Sequence, residues 1–388
     1  MLTGRSIVCM SSIDWDFNRQ GHQEIMSTLS AWGNRVLFVE NTGVRSMTLR
    51  DWPRLLHRVR RRLRGIPEEQ HGLHIYSPII LPMPYSRLAR SINHRIVARA
   101  VRRWIRRVPR ARPLLWTFLP TPLVHDLIRD LDPELTVYYC VDDLPSSSPG
   151  ARRLETSDMD LLRTADLVFV TSEKLRTRAA RVRADVHLFP FGVDYETFER
   201  IRTEAGPPPG GLETVARPIV GYIGGLNQKM DQDLLVETAR RRPDLSFVLV
   251  GPVETDVSSL LRQSNLRLLG PVPHTAVPRY IKEFAVGIVP YRLNEYTSHV
   301  YPSKLNEYLA MGIPVVSTDL PEIRRFNQVS GDLVRVAGNA EGFASALEAA
   351  LTEGPAGSPR QRIQAARLNS WAPRVTEMAK LVEQALRR

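Results

Sequence analysis

Two cysteines in 388 residues, Cys9 and Cys140, are too few for a disulfide scaffold, and no C-x-x-C spacing offers a metal site. Both sit in strongly apolar, β-like runs and read as buried thiols in a reducing compartment. Long apolar runs are missing as well. The amino-terminal MLTGRSIVCMSSIDWD is too short in its apolar part for a signal peptide, and no window reaches the length of a membrane-spanning helix. The expectation is a protein that is not exported, soluble or peripheral to a membrane. No G-x-G-x-x-G follows the first strand of either half, which argues against a NAD-dependent oxidoreductase.

Apolar residues make up 43% and charged residues 24%, an ordinary globular composition, and the length suits two α/β domains better than one core. The net charge of +12 is unevenly spread. One basic block runs Arg45, Arg50, Arg54, Arg58, Arg60, Arg61, Arg62 and Arg64. A second runs from Arg87 through Arg90, Arg95, Arg99, Arg102, Arg103, Arg106, Arg107 and Arg110 to Arg112, without an acidic residue between. Such asymmetry points to a polyanionic partner.

Short β-branched runs alternate with helical patterns throughout. The first half offers strands at 6–11, 35–40, 73–79, 114–118, 136–141, 167–172 and 186–191, and the second at 218–225, 246–252, 266–270, 285–291, 314–318 and 332–336. Apolar strands alternating with helices predict parallel sheets covered on both faces. The Pro- and Gly-dense EAGPPPGGLETVARP reads as a linker. The predicted organisation is a first domain over 1–200, a linker over 201–217 and a second domain over 218–388, whose last helix packs back on the first. These are two Rossmann-like, doubly wound domains facing across a cleft, with ligands expected at the carboxyl ends of the strands.

The segment YPSKLNEYLAMGIPVVST, 301–318, carries the most chemistry. Ser303 is the expected N-cap, and Lys304, Glu307, Tyr308 and Met311 follow at helical spacing on one face. A helix amino end with a nearby cation suits a diphosphate, and a carboxylate one turn on suits a ribose diol. A surface Lys–Glu pair on an amphipathic helix is the competing reading.

The run PSKLNEYLAMGIPVVSTDLPEI closely resembles the donor-binding motif of the family-4 retaining glycosyltransferases. VGYIGGL (220–226), FVLVGPV (247–253), LLGPVPHTAVPRYI (268–281), FPFGVDYETF (189–198) and ADLVFVTSEKL (165–175) support it in the family's order. RQGHQEIMSTLSAWGNRVLFVENTG (19–43) and YYCVDD (138–143) resemble the teichuronic-acid and exopolysaccharide subgroup. The resemblance implies a GT-B fold, acceptor domain first and donor domain second, with transfer from a nucleoside-diphosphate sugar, retention of configuration and no obligatory metal or other cofactor. It implies that Glu307 holds the ribose, that Lys304 and the amides near Ser303 meet the leaving diphosphate, and that Gly224 and Gly225 admit the phosphates. It also implies that the loop after FVLVGP (247–252), which ends on Pro252, and the GPVPH loop near His274 border the base. His299 stands where the family's paired-glutamate motif has its first Glu. Gly225 and Met230 stand where an Arg and a Lys are common, leaving Lys229 as the nearest cation.

In the first domain Asp142 and Asp143 follow a strand where the family often has a His, and are candidates to hold the sugar or the acceptor hydroxyl. Capping of the next turn is their bland alternative. Arg19, His22 and Gln23, with Asp14 and Asp16, follow the first strand where an acceptor is expected. The stretch 87–112 interleaves Arg with apolar residues at helical spacing and includes Trp104, which fits an anionic membrane surface and a lipid-linked acceptor; a core-packing helix with a solvated Arg face is the competing reading. The location implied is cytoplasmic, at the inner face of the plasma membrane. Against nucleic acid as partner, the basic blocks lack aromatic and glycine interleaving. A nucleotide-sugar isomerase and an inactive nucleotide-sugar-binding scaffold share the architecture and remain as alternatives.

Overall fold

The computed structural model describes residues 2–16, 19–42, 68–70, 72–81, 86–106, 112–147, 150–353 and 359–388. The 45–64 arginine block lies outside these residues, as do Arg107 and Arg110 of the second block. The chain divides into two compact units, Met1–Pro190 with Ala372–Arg388, and Phe191–Trp371.

Unit 1 is built on eight strands: β1 (Ser6–Met10), β2 (Arg35–Val39), β3 (Glu68–Gln70), β4 (Leu73–Tyr76), β5 (Leu114–Thr117), β6 (Leu135–Cys140), β7 (Leu167–Val170) and β8 (His187–Leu188). Their order is β3-β4-β2-β1-β5-β6-β7-β8, parallel throughout except for β3 against β4. Every residue of β1, β5, β6 and β7 is buried, as expected of strands covered on both faces. Val8, Met10, Leu37 and Leu115 pack on Val97, Val101 and Trp104 of helix Arg87–Ile105 and on Val124 and Leu127 of helix Pro122–Leu131. The expected strand at 186–191 shrinks to two residues, because Pro190 has no N–H to extend the ladder. Cys9 and Cys140 are buried, unpaired thiols.

Unit 2 holds β9 (Ile219–Ile223), β10 (Ser246–Val250), β11 (Leu266–Gly270), β12 (Val286–Val289), β13 (Val315–Thr318) and β14 (Val334–Ala337), in the order β11-β10-β9-β12-β13-β14. All its pairings are parallel. The unit begins before the expected boundary at 200. Helix Tyr195–Thr203 is part of it, and the 201–217 segment is anchored to it rather than slung between domains. Leu212 and Val215 are buried in its core, and Tyr280 Oη donates to the Gly210 carbonyl at 2.9 Å. Pro and Gly marked irregular backbone there, but irregular backbone can still bury its apolar side chains.

In both sheets the strand order reverses beside the first strand, between β1 and β5 and between β9 and β12. Crevices for ligands form at the carboxyl ends of such pairs. Among the described residues no helix is long and apolar enough to cross a membrane.

Candidate functional site

Past the carboxyl ends of β9 and β12 the chain is tied into a rigid rim. The loops after β9 and β10 continue as a pair: Gly224 N–H donates to the Val250 carbonyl at 2.8 Å, Leu226 to Pro252 at 2.9 Å and Glu254 to Leu226 at 2.9 Å. The loop after β9 is also tied to the one after β12, through Asp231 N–H to the Pro290 carbonyl at 2.8 Å and Arg292 N–H to the Lys229 carbonyl at 2.7 Å. Pro252 thus contributes a structural carbonyl to this rim. Gly224 takes φ +131°, which few side-chain-bearing residues adopt, and a Cβ there would lie 3.3 Å from Lys304 Cε.

Helix Lys304–Ala310 is seated on the sheet by Tyr308. A Cβ on Gly287 of β12 would meet the Tyr308 ring at 2.6 Å, so only glycine lets the ring lie flat on the strand. Tyr308 Oη accepts from Ile223 N–H at 3.0 Å, which fixes the helix against the end of β9. Gly312, at φ +77°, terminates the helix. The register places the Lys304 side chain, only 6% exposed, beneath Gly224. Its ammonium sits 4.9 Å from the Tyr222 ring centroid and 4.7 Å from that of Tyr291, and donates to Tyr291 Oη. An ammonium has three N–H donors. The described residues accept one of them.

Glu307, one turn on, is half-buried. Loss of water raises its carboxyl above the usual range, and the nearby His274 and Lys304 charges pull it back down. His274, Lys304 and Glu307 are therefore one electrostatic group. Ser303 departs from expectation: it is exposed, has helical dihedrals and its side chain caps nothing. The Leu305 and Asn306 amides already donate to the Pro302 and Ser303 carbonyls at 3.0 and 3.2 Å. The helix end thus offers fewer free amides than expected, and the capacity to hold an anion rests on the Lys304 side chain.

The remaining candidates separate by their neighbours. Met230 is buried at 2% exposure, so the cation of this loop is Lys229, whose ammonium stands 5.0 Å from the Tyr296 ring centroid. Gly225 faces the Glu254 carboxylate, 3.6 Å from where a Cβ would be, which is poor company for a phosphate. His299 is buried, and its Nδ1–H donates to the Glu295 carbonyl at 2.8 Å. Tyr291 escaped the sequence reading. Its place directly after the apolar run of β12, at a switch-point strand end, was the available signal.

In unit 1, Asp143 lies at the end of β6, 5% exposed, accepting from Ser146 Oγ at 2.6 Å and standing 3.9 Å from Arg178 Nε. Arg178 pairs with the fully buried Asp158 at 2.5 Å, and Tyr138 donates to the same carboxylate. Asp142 is half-buried beside it, its carbonyl accepting from Leu144 N–H at 2.9 Å. The three candidates after β1 look different in three dimensions from their look in sequence. His22 is 1% exposed and stacked on Phe118 with ring centroids 3.8 Å apart; burial lowers it to about 3, so the imidazole is neutral at pH 7. Its Nε2 meets Ser12 Oγ at 2.9 Å. Gln23 is buried, with its amide accepting from Gln20 N–H at 2.9 Å and donating to the Trp15 carbonyl at 3.1 Å. That side chain shapes the loop and has little left for a ligand. Arg19 is exposed and paired with Glu24. Among the described residues no group of three His, Cys, Asp or Glu side chains is placed to hold a metal ion.

Residues 217–353, most of unit 2, match the family described as Glycosyl transferases group 1. TuaH of Bacillus subtilis, named for a glycosyltransferase of teichuronic acid biosynthesis, is 30% identical over 235 residues. That match covers 56% of this chain and 58% of TuaH. Among solved structures, sucrose-phosphate synthase of Thermosynechococcus elongatus superposes with a TM-score of 0.69 at 18% identity, covering 98% of both chains. HepE of Anabaena, solved with UDP and glucose, gives 0.66 at 13% identity, over 98% of this chain and 99% of its own. The fold is the GT-B type, two parallel-sheet Rossmann-like units.

The second arginine block forms helix Arg87–Ile105, which turns Ala89, Asn93, Val97, Ala98, Val101 and Trp104 inward. Trp104 is therefore not an interfacial residue: it is 1% exposed, with the Arg35 guanidinium 4.6 Å from its ring centroid. Arg90 and Arg102 pair with Asp126 and Asp130. Arg95, Arg99, Arg103 and Arg106 are exposed without an ion pair among the described residues, and Leu88 near the helix start is 72% exposed.

Proposed function

We propose that the chain is a retaining glycosyltransferase that moves a sugar from a nucleoside diphosphate to a glycan or lipid-linked acceptor in cell-surface polysaccharide synthesis. The observation that carries this reading is Lys304: a buried ammonium, held at the β9/β12 switch point, whose one described hydrogen-bond partner is the Tyr291 hydroxyl. A buried cation is costly without an anionic partner. The segment that builds it is also the one that matches group 1 glycosyltransferases. In the proposed reaction negative charge grows on the β-phosphate oxygen as the sugar departs, and the fixed Lys304 ammonium stabilises it. Glu307 accepts from the ribose hydroxyls. Lys229 and Lys304 supply the positive charge, so no obligatory metal is invoked. Asp142 and Asp143 are the candidate groups of unit 1 for the sugar or the acceptor hydroxyl.

UDP-sugars are the first donors to test, since HepE was solved with UDP and glucose and trehalose-phosphate synthase of Burkholderia vietnamiensis is a UDP-forming enzyme of the same fold. Nucleoside-diphosphate release from UDP-, GDP-, dTDP- and ADP-sugars, measured with bacterial membrane extract as acceptor, is expected for one donor and to depend on the extract. Glu307→Ala should weaken nucleotide binding by about tenfold to a hundredfold, the worth of hydrogen bonds to a charged group. Turnover of the donor without extract supports an isomerase, and failure of every nucleotide to protect the protein against heat supports an inactive scaffold.

We further propose that the exposed face of helix Arg87–Ile105 meets an anionic membrane at the cytoplasmic side. Arg95, Arg99, Arg103 and Arg106, exposed and without an ion pair among the described residues, support this, now without Trp104. Each basic residue near such a surface contributes about 1 kcal/mol. Replacing Arg95, Arg99 and Arg103 together by Gln should weaken binding to vesicles of phosphatidylglycerol by about a hundredfold, and binding unchanged by the triple variant removes this helix from the membrane contact.

A further inference from the structure

Tyr291 has no part in the reading above, yet it is the best-fixed polar group beside Lys304. Its backbone is clamped on both sides: Thr318 Oγ1 accepts from its N–H at 3.1 Å and donates to its carbonyl at 2.7 Å. Its ring is 6% exposed and lies against the Lys304 ammonium. Lys304 donates to the phenol oxygen. That contact uses the oxygen as acceptor and leaves the hydroxyl hydrogen to be given elsewhere. Neighbouring Tyr222 directs its own hydroxyl to the Gly225 carbonyl at 3.0 Å. No carbonyl or carboxylate among the described residues takes the Tyr291 hydrogen.

We propose that the Tyr291 hydroxyl is itself a ligand of the donor's diphosphate, donating to a β-phosphate oxygen while Lys304 donates to the phenol. The proposal rests on the donor-site reading above and adds a third group to it. A hydrogen-bond chain from ammonium to phenol to phosphate strengthens at each link, because the ammonium polarises the O–H that faces the anion. The charges bearing on Tyr291 agree. Burial pushes the phenol up, but the Lys304 and Lys229 charges and the hydrogen bond from Lys304 bring it below its usual value, which makes it a stronger donor. Burial, with Tyr291 and Tyr308 beside it, moves Tyr222 the other way. The position at Gly224 is open as well: a Cβ there would come within 3.5 Å of both Lys304 Nζ and Tyr222 Oη, so a side chain would crowd the group where a phosphate must approach.

A purely structural Tyr291 would hold the Lys304 side chain in place and nothing more. Calorimetric binding of a nucleoside diphosphate and of its monophosphate separates the two roles, using whichever of UDP, GDP, dTDP or ADP the wild-type protein binds. Tyr291→Phe keeps the ring against Lys304 and removes only the hydroxyl. It is expected to weaken the diphosphate about tenfold or more, the worth of a hydrogen bond to a charged group, and the monophosphate by less than about twofold. Tyr222→Phe, which loses a bond to a backbone carbonyl, should lower the melting temperature without changing the ratio of the two affinities. Equal loss of both nucleotides in Tyr291→Phe, or no loss of either, overturns the assignment of Tyr291 while Lys304→Ala still weakens the diphosphate. If Lys304→Ala leaves diphosphate binding intact, or no nucleoside diphosphate binds the wild type, the donor-site reading itself fails.

Discussion

Lys304→Ala is expected to lower kcat/KM for the donor by about a thousandfold, the upper range for removal of one prearranged donor to a developing oxyanion. The effect should fall on kcat more than on KM, because in the proposed reaction charge on the β-phosphate oxygen grows as the glycosidic bond breaks. Three structural facts put the loss at that end of the range. The side chain is nearly dry, so its field is little screened. The two tyrosine rings and Gly224 hold it in place before any ligand arrives, so little reorganisation is left to the reaction. The Leu305 and Asn306 amides are already bonded within the turn, so the helix end is poorly placed to substitute. Steady-state kinetics with the donor found in the release panel measures this. A loss under tenfold, shared evenly between kcat and KM, would mean that Lys304 merely binds the ground state.

Arg178→Met should destabilise unit 1 by about 3–5 kcal/mol near neutral pH, the cost of leaving a buried carboxylate without its partner. Asp158 is fully buried, and Arg178 keeps 14% of its side chain exposed. Burial raises the Asp158 carboxyl above its ordinary value of 3.8, against the opposing pull of Arg178 and Tyr138. Folding therefore favours the protonated acid: that contribution is present at low pH and is lost as pH rises through the folded-state value. Removing Arg178 takes away the largest opposing pull and moves the loss to still higher pH. The variant should thus lie closest to wild type at acid pH, where the carboxyl is protonated in both, and diverge from it as pH rises, with ~3 kcal/mol as the lower bound at the alkaline end. Urea unfolding followed by tryptophan fluorescence reads this out, since Trp15, Trp32, Trp104 and Trp116 all lie in unit 1. Adding Asp158→Asn should recover most of the stability. A deficit independent of pH would assign Arg178 to packing instead.

Apolar periodicity made the architecture legible. Runs such as 219–223, 286–289 and 167–170 are buried on both faces and could only be central parallel strands. The strand-to-helix alternation then dictated two doubly wound sheets with a crevice beside the first strand of each. Lys304 and Glu307 were legible for the same reason, because they sit in one short helix between a proline-bounded turn and a buried strand. Spacing alone placed the two residues on one helix face, and the family resemblance singled them out as donor-site candidates.

What each polar group does was decided by partners far away in the chain. Nothing near Gln23 in sequence says that its amide would close the loop from Trp15 to Gln20, or that His22 would stack on Phe118 and lose its charge. Trp104 read as amphipathic and turned out to be core, because its helix face rather than its residue type set its surroundings. Met230 is buried and its loop pairs with Tyr291, which leaves Lys229, the nearest cation expected from sequence, as the cation of that loop. The Tyr222–Tyr291–Lys304 cluster exists because β9 and β12, distant in sequence, become neighbours at the point where the strand order reverses. Periodic burial is a property of a short window, and the sequence determined it by itself. Hydrogen-bond partnership and local charge depend on which windows meet, and only the tertiary structure brings them together.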